Sequence, residues 1–156
     1  AEQATIAEVI PSSVPMPDTR PARASAPTQE AADTMAGSPD LAAAEVKAGR
    51  ERYRALEFGA AKQHFFRATA HDRRSHAAFF GLAQSHFQLG HHEEAIAAVR
   101  RAVELRPRQA RYLLLMGELY ERTSRYDEAI AALQRAADAG NATATKRLAR
   151  LRASLP

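Results

Sequence analysis

Residues 94–99 read EAIAAV, and residues 128–133, which lie 34 positions further along the chain, read EAIAAL. The spacing of 34 residues extends backwards as well, to a third and earlier stretch of the chain. Two alanines recur at this spacing in all three stretches: Ala61 and Ala68, Ala95 and Ala102, Ala129 and Ala136. A fixed period of roughly 20–50 residues indicates stacked copies of one small structural unit.

Each repeat unit is predicted to form two helices. The register gives blocks 42–75, 76–109 and 110–143. In the second block, an apolar helical pattern precedes Gly90, which favours the left-handed conformation that ends many helices. A second helix is predicted from about His92 to Leu105, because Pro107 cannot continue it. The third block follows the same plan, with a turn at residues 123–125.

Small residues stand where the two helices of a block would approach each other. The eighth position holds Gly49, Ala83 or Gly117, and the twentieth position always holds alanine. Because antiparallel helices joined by a tight turn come close only where one side chain is short, this pattern predicts helical hairpins. No block can bury its apolar faces alone, so the hairpins are expected to stack.

The recurring 34-residue pattern of small and large residues resembles the tetratricopeptide repeat (TPR). Block two carries the resemblance at Phe79, Leu82, Ala83, Gly90, Ala95, Val99, Ala102 and Pro107. Block three carries it at Leu113, Met116, Gly117, Tyr120, Tyr126, Ala129, Leu133 and Ala136. Block one departs from it at Glu45 and Arg52. The resemblance implies an all-α fold, a right-handed α-solenoid of three helix-turn-helix hairpins plus a capping helix.

The capping helix is predicted over residues 142–155. Leu148, Leu151 and Leu155 recur there at helical spacing, which suits a face that packs on the last repeat. The other face is expected to carry its charges outward: Lys146, Arg147, Arg150 and Arg152. The start of a fourth repeat would look similar, and the sequence leaves that alternative open.

The composition divides the chain near residue 40. Residues 1–40 hold six of the eight prolines, no aromatic residue, and six acids against two arginines, for a net charge of −4. Residues 41–156 hold all ten aromatic residues and 20 bases against 12 acids, for a net charge of +8. We therefore predict a disordered, acidic, Pro/Ala-rich leader or linker over residues 1–40 and a TPR domain over residues 41–156.

The sequence offers little that points to catalysis or to a bound metal. The chain has no cysteine, which excludes thiol nucleophiles, disulfides and iron–sulfur clusters. His86, His91 and His92 do not share one helical face. The pairs at residues 71–72 and 75–76 lack a third catalytic partner. We predict a non-enzymatic protein with no catalytic residue, no metal ion and no cofactor.

Arginine pairs raise the alternative of a nucleic-acid partner. They occur at residues 73–74 and 100–101, and 19 of the 22 basic residues are arginine. Acids such as Glu93 and Glu104 are interleaved with them, and the aromatic–basic alternation typical of single-strand binders is missing. We favour a solvated outer face over nucleic acid. No window holds the roughly 18 consecutive apolar residues that a membrane span requires.

The TPR resemblance implies a concave groove lined by the first helix of each repeat. Helical spacing independently places Arg50 and Arg54 on one face. Carried over position by position, the family's ligand-facing positions give a candidate peptide-binding groove: Val46, Arg50, Tyr53, Arg54, Phe80, Gln84, Phe87, Gln88, Arg111, Leu114 and Glu118. Val46 and Arg50 replace the first-repeat Lys and Asn of the family's carboxylate clamp, which argues against the chaperone tails that this clamp binds.

The groove residues indicate the kind of peptide that would bind. Arg50, Arg54 and Arg111 supply positive charge, while Gln84 and Gln88 can hydrogen-bond an extended backbone. An apolar floor is expected from Val46, Tyr53, Phe80, Phe87 and Leu114. The alternative is that the two phenylalanines thicken the core. We expect a partner protein or peptide with aliphatic anchors and some acidic character.

The leader contains a peptide of this kind. Residues 5–17 read TIAEVIPSSVPMP, which is apolar for a linker and rich in proline. One hypothesis is that this segment docks in the groove, favoured by the opposite net charges of leader and body. The alternative is a linker with a few chance aliphatic residues.

The sequence thus predicts a protein–protein interaction module, an adaptor or scaffold. Two alternatives remain open: a regulatory TPR domain of a larger bacterial signalling enzyme such as a chemoreceptor methyltransferase, or a secretion or pilus-assembly chaperone. The excess of arginine and alanine favours a GC-rich, bacterial genome. Among compartments, we favour the cytoplasm over the periplasm, although the sequence names neither.

Overall fold

The computed structural model describes residues 37–156, and within that range the chain forms seven α-helices and no strand. The predictions about residues 5–17 concern a part of the chain outside the described residues. The helices are α1 (Pro39–Arg54), α2 (Phe58–His71), α3 (His76–Gln88), α4 (His92–Leu105), α5 (Ala110–Arg122), α6 (Tyr126–Asp138) and α7 (Ala142–Ser154). The prediction of an all-α fold is confirmed.

Short side chains fix the start of three of these helices. Ser38, Ser75 and Asn141 each accept a hydrogen bond from a backbone N–H in the first turn of the helix that follows. Ser38 stands directly before Pro39, and proline suits the first helical position because its fixed φ is helical. The first helix therefore begins at Pro39, two residues before the predicted start of the helical body at residue 41.

Four helices end in the same way, on a residue with positive φ. Gly90 adopts φ +78° after α3, as predicted, and Leu56, Ser124 and Gly140 occupy equivalent positions after α1, α5 and α6. At Gly90, the backbone N–H donates to the carbonyl of Phe87, and the next N–H donates to the carbonyl of His86. This paired bonding closes the helix end and turns the chain back sharply.

The helices pair into three hairpins, α1–α2, α3–α4 and α5–α6, which stack in chain order. The first helices of the hairpins also contact one another, α1 with α3 and α3 with α5, so they form one layer. The second helices α2, α4 and α6 form the other layer, and α7 packs on α6. The result is an α-solenoid in which α1, α3 and α5 share a face.

The small residues of the repeat lie where the hairpins are tightest. All six repeat alanines are fully buried. A methyl group added at Gly49 would lie 2.9 Å from the ring of Phe65, and one added at Gly117 would lie 2.7 Å from the side chain of Leu133. Glycine at these positions therefore permits the close approach of the paired helices, as the sequence pattern predicts.

Phe65 joins the first hairpin to the second. Its ring lies against Gly49 of α1 and also against Gly81 of α3, where an added methyl group would clash with it. Only 2% of Phe65 is exposed. One buried ring thus packs against two successive first helices and sets their spacing on the shared face.

Candidate functional site

The shared face of α1, α3 and α5 carries a small open cavity at its centre. Its volume is about 370 Å³, and helices on both sides contribute to its wall. Five of the eleven predicted groove residues line it together with Phe65: Arg50, Tyr53, Arg54, Gln84 and Arg111. The structure therefore brings together the basic and amide side chains that the sequence placed in the groove.

A second cavity of about 400 Å³ continues the first one along α1. Val46, Arg50 and Arg54 contribute to its wall. The groove predicted from the sequence omits the other polar residues there, Lys47, Glu51 and Ser75. Lys47 and Glu51 directly follow predicted groove residues on α1, so a wider helical face would have included them, whereas Ser75 is the cap that precedes α3.

The three arginines of the central cavity have no acidic partner among the residues that the structure describes. Other arginines in the range 37–156 form ion pairs, such as Arg52 with Glu57 at 2.8 Å and Arg125 with Glu93 at 2.9 Å. None of the ion pairs between described residues involves Arg50, Arg54 or Arg111. The cavity wall therefore carries positive charge that these ion pairs do not neutralise.

Only part of the predicted apolar floor of the groove is accessible to a ligand. Phe80 is 5% exposed, because its ring stacks on Tyr112 at a centroid distance of 4.4 Å and the Arg111 guanidinium lies 4.6 Å above it. Val46 is buried too. Both residues thus belong to the core beneath the groove, whereas Tyr53, Phe87 and Leu114 are half-buried.

Two further groove residues are engaged with neighbours along the shared face. Gln88 donates a hydrogen bond of 3.2 Å from its Nε2 to the hydroxyl of Tyr53, which links α3 to α1. The guanidinium of Arg122 lies 5.2 Å from the ring centre of Phe87 and partly covers it. The apolar surface around Phe87 and Tyr53 is therefore small, and polar side chains border it.

The acids at the far end of the groove are neutralised from within the chain. Arg147 of α7 binds Glu118 at 2.5 Å and Glu121 at 3.2 Å, and all three side chains are largely buried. The prediction that Arg147 faces outward with Lys146 and Arg150 is wrong. The long arginine side chain reaches back across α7 to the two carboxylates of α5, and this contact leaves positive charge dominant on the groove.

Comparison with known proteins agrees with this architecture. The family model described as tetratricopeptide repeat matches residues 46–110 and 82–144. The chain belongs to the tetratricopeptide repeat family. None of the curated proteins matches the chain in sequence. TPRs are typical of protein–protein interaction and peptide binding, for which stacked hairpins present an extended concave surface.

Several solved TPR structures are similar to this one. The first TPR of Spaghetti (RPAP3), bound to the HSP90 peptide SRMEEVD, has a TM-score of 0.74 at 16% identity and covers 77% of this chain and 97% of its own. The Arabidopsis OM64 TPR domain has a TM-score of 0.72 at 20% identity, with 76% and 100% covered. The Yersinia enterocolitica type III secretion chaperone SycD, with a peptide of the translocator YopD, has 0.68 at 15%, with 72% and 93% covered. At these identities the likeness shows the TPR fold alone.

Residue pairs of the TPR chain that resemble catalytic dyads serve the helix ends instead. The Ser75 hydroxyl accepts a hydrogen bond from the N–H of Ala78, and Asp72 accepts one from the N–H of Arg74. His86 and His92 are half-buried, and a ring nitrogen of each lies buried without a hydrogen-bond partner among the described residues. None of the seven helices described combines the length and apolarity needed to cross a bilayer.

His76 lies at the start of α3, close to the basic cavity. Its Nδ1 is 2.7 Å from the hydroxyl of Tyr112, and its side chain is half-buried. Burial lowers the pKa of His76 below its ordinary value of 6.5, and the charges of Arg106, Arg111 and Arg50 lower it further. The same burial raises the pKa of Tyr112 above its ordinary value of 10.0. The neutral imidazole is therefore the form that the fold favours.

This shift predicts a pH-dependent stability. Below pH 6.5 the unfolded chain binds a proton at His76 more readily than the folded protein does. The stability that depends on neutral His76 is therefore fully present above pH 6.5 and is lost as the pH decreases through the lowered pKa. We expect urea unfolding to show a loss of stability from about pH 7.5 to about pH 5.5, and a smaller loss in His76→Gln. Exposed His91→Gln is the matched control. An equal loss in wild type and His76→Gln would show that His76 does not contribute.

Proposed function

We propose that this TPR chain is a non-enzymatic adaptor or scaffold that binds a short peptide segment of a partner protein across α1, α3 and α5. One observation carries the proposal: the wall of the central cavity combines Arg50, Arg54 and Arg111, which lack acidic partners in the described chain, with Tyr53 and Gln84. Charged groups left without partners on a concave surface favour a ligand of opposite charge.

The remaining groove residues suit an extended peptide with some acidic character. Gln84 can donate to and accept from a peptide backbone, and the half-buried Tyr53, Phe87 and Leu114 offer contact to one or two aliphatic side chains. The buried position of Phe80 limits the apolar surface, so charge contributes more to recognition here than the sequence alone suggests. The hypothesis that residues 5–17 act as such a peptide in cis stays a prediction.

Charge reversal in the groove tests this function. The full chain is immobilised, partner proteins are captured from cells of its source and identified by mass spectrometry, and the affinity of the purified partner is then measured. Arg50→Glu/Arg54→Glu should lower that affinity at least about tenfold, because buried or partly buried charge pairs at interfaces are often worth more than 1.4 kcal/mol. Both arginines are exposed, so the fold should not change.

The matched control is Arg73→Glu/Arg74→Glu. It changes the net charge by the same amount at two exposed residues between α2 and α3 that do not line the central cavity. If the two double variants weaken binding equally, overall charge rather than the groove controls the interaction. If neither changes the affinity, the partner binds elsewhere on the solenoid.

A further inference from the structure

The central cavity concentrates positive charge from two sides. Arg50 and Arg54 extend from α1, Arg111 extends from α5, and Gln84 of α3 stands between them on the wall of the same cavity of about 370 Å³. Within residues 37–156, no acidic residue is part of this wall, and Glu51 lines the neighbouring cavity instead. Three cations thus line one small space without a countercharge from the described part of the chain.

The surroundings do not relieve this charge. Glu118 and Glu121 at the other end of the groove are bound by Arg147, and Glu51 lines the neighbouring cavity and not the central one. Burial lowers the pKa of His76, which lies nearby, and the charges of Arg106, Arg111 and Arg50 lower it further. Positive charge therefore dominates at the central cavity, and like charges held together favour the binding of an anion.

Guanidinium groups select among anions by geometry. Each presents a planar fork of N–H donors that matches two oxygens of a carboxylate or phosphate. Arg54 lies one helical turn after Arg50 on α1, and Arg111 lines the same cavity from α5, where its guanidinium lies 4.6 Å from the ring centre of Phe80. Three guanidinium groups from two helices at one small cavity suit one compact anion with several oxygens.

We propose that the cavity lined by Arg50, Arg54, Gln84 and Arg111 is an anion subsite that takes the phosphate of a phosphorylated side chain in the partner peptide. This inference rests on the proposed peptide-binding function and specifies the chemistry of the ligand. A phosphate group carries a charge of about −1.5 to −2 at pH 7 and offers three acceptor oxygens at one point.

Carboxylates fit the same set less well. A single carboxylate carries one charge and leaves two of the three arginines unneutralised. Two carboxylates on consecutive residues of an extended peptide point to opposite sides of the chain, so both cannot enter one cavity. The chain's own residues 5–17 contain a single acid, Glu8, and therefore match this charge poorly.

Inorganic phosphate tests the subsite without any partner. The full chain, labelled with ¹⁵N, is titrated with phosphate at about pH 7.5 and constant ionic strength, with chloride as the reference anion. We expect saturable shifts of the guanidinium Nε–Hε signals of Arg50, Arg54 and Arg111 and of the side-chain amide of Gln84. Arg50→Gln/Arg54→Gln/Arg111→Gln should raise the Kd for phosphate at least about tenfold, whereas Arg73→Gln/Arg74→Gln should leave it unchanged.

Three peptides then identify the source of the anion. Acetyl-Val-Ala-phosphoserine-Ala-Val-amide should bind at least about tenfold more tightly than its serine counterpart and than a counterpart with Asp-Asp in place of phosphoserine-Ala. Equal binding of the phosphoserine and Asp-Asp peptides would overturn the assignment to phosphate in favour of carboxylates. Phosphate shifts no larger than those caused by chloride, or shifts centred on Arg73 and Arg74, would overturn the subsite itself.

The two proposals can fail separately. If partner capture depends on Arg50 and Arg54 but phosphate and the phosphoserine peptide do not bind, the chain is a peptide-binding module with a different ligand chemistry. If phosphate binds at the three arginines but partner affinity is insensitive to their reversal, the proposed function fails while the anion site stands.

Discussion

Phe65→Ala is expected to destabilise the folded chain by about 3–5 kcal/mol. The ring is 2% exposed and packs against Gly49 and Gly81, so its removal leaves a cavity between the first two hairpins. Backbone rearrangement can close this space only by shifting α1 relative to α3, which would also disturb the spacing of Arg50 and Gln84 on the shared face. The measurement is chemical unfolding in urea, followed by far-ultraviolet circular dichroism.

The adjacent residue provides the control. Phe66 has the same side chain on the same helix but is 64% exposed, so Phe66→Ala should change the free energy of unfolding by no more than about 0.5 kcal/mol. A large loss in Phe66→Ala, or a loss below about 1 kcal/mol in Phe65→Ala, would contradict the packing described for the first two hairpins.

Removal of α7 is the second change with a large expected effect. A chain that stops after Asn141 loses the buried side chains of Leu148 and Leu151 and exposes the face of α6 that they cover. Each buried leucine contributes about 1.5–3 kcal/mol, so we expect a loss of at least about 3 kcal/mol. Glu118 and Glu121 would also lose Arg147, which adds two unpaired acids to the groove.

A shorter truncation tests whether the loss comes from α7 itself or from the last residues of the chain. A chain that stops after Arg152 keeps both buried leucines and loses only the last four residues, of which Leu155 alone is half-buried. We expect this chain to lose less than about 1.5 kcal/mol. If the unfolding curves of the two truncated chains coincide, the prediction that α7 caps the solenoid is contradicted.

The repeat register predicted the helices well because packing in this fold is local and periodic. The helix α4 spans His92–Leu105, the bounds expected from the sequence, since Gly90 and Pro107 limit it on either side. The left-handed ends at Leu56 and Ser124 were not predicted, because neither residue type favours that conformation. Their register with Gly90, 34 residues away on each side, is the signal that could have revealed them.

The site was harder to predict than the fold. Arg50 and Arg54 could be identified from helical spacing on α1, whereas Gln84 and Arg111 were identified from the TPR resemblance. The burial of Phe80 depends on a ring stack with Tyr112 from the next hairpin, which a single helical pattern does not show. The reach of Arg147 to Glu118 depends on a long, flexible side chain that can leave its own helical face.

If a partner peptide binds across α1, α3 and α5, as we propose, it must lie close to the central cavity. The most direct test places a photocrosslinking amino acid at Gln84, in the wall of the central cavity, and separately at Ala97, on the exposed face of α4. After irradiation with the captured partner, mass spectrometry maps the crosslinked segment. We expect one short partner segment to be crosslinked from Gln84 and not from Ala97. Crosslinks from Ala97 with none from Gln84 would contradict it.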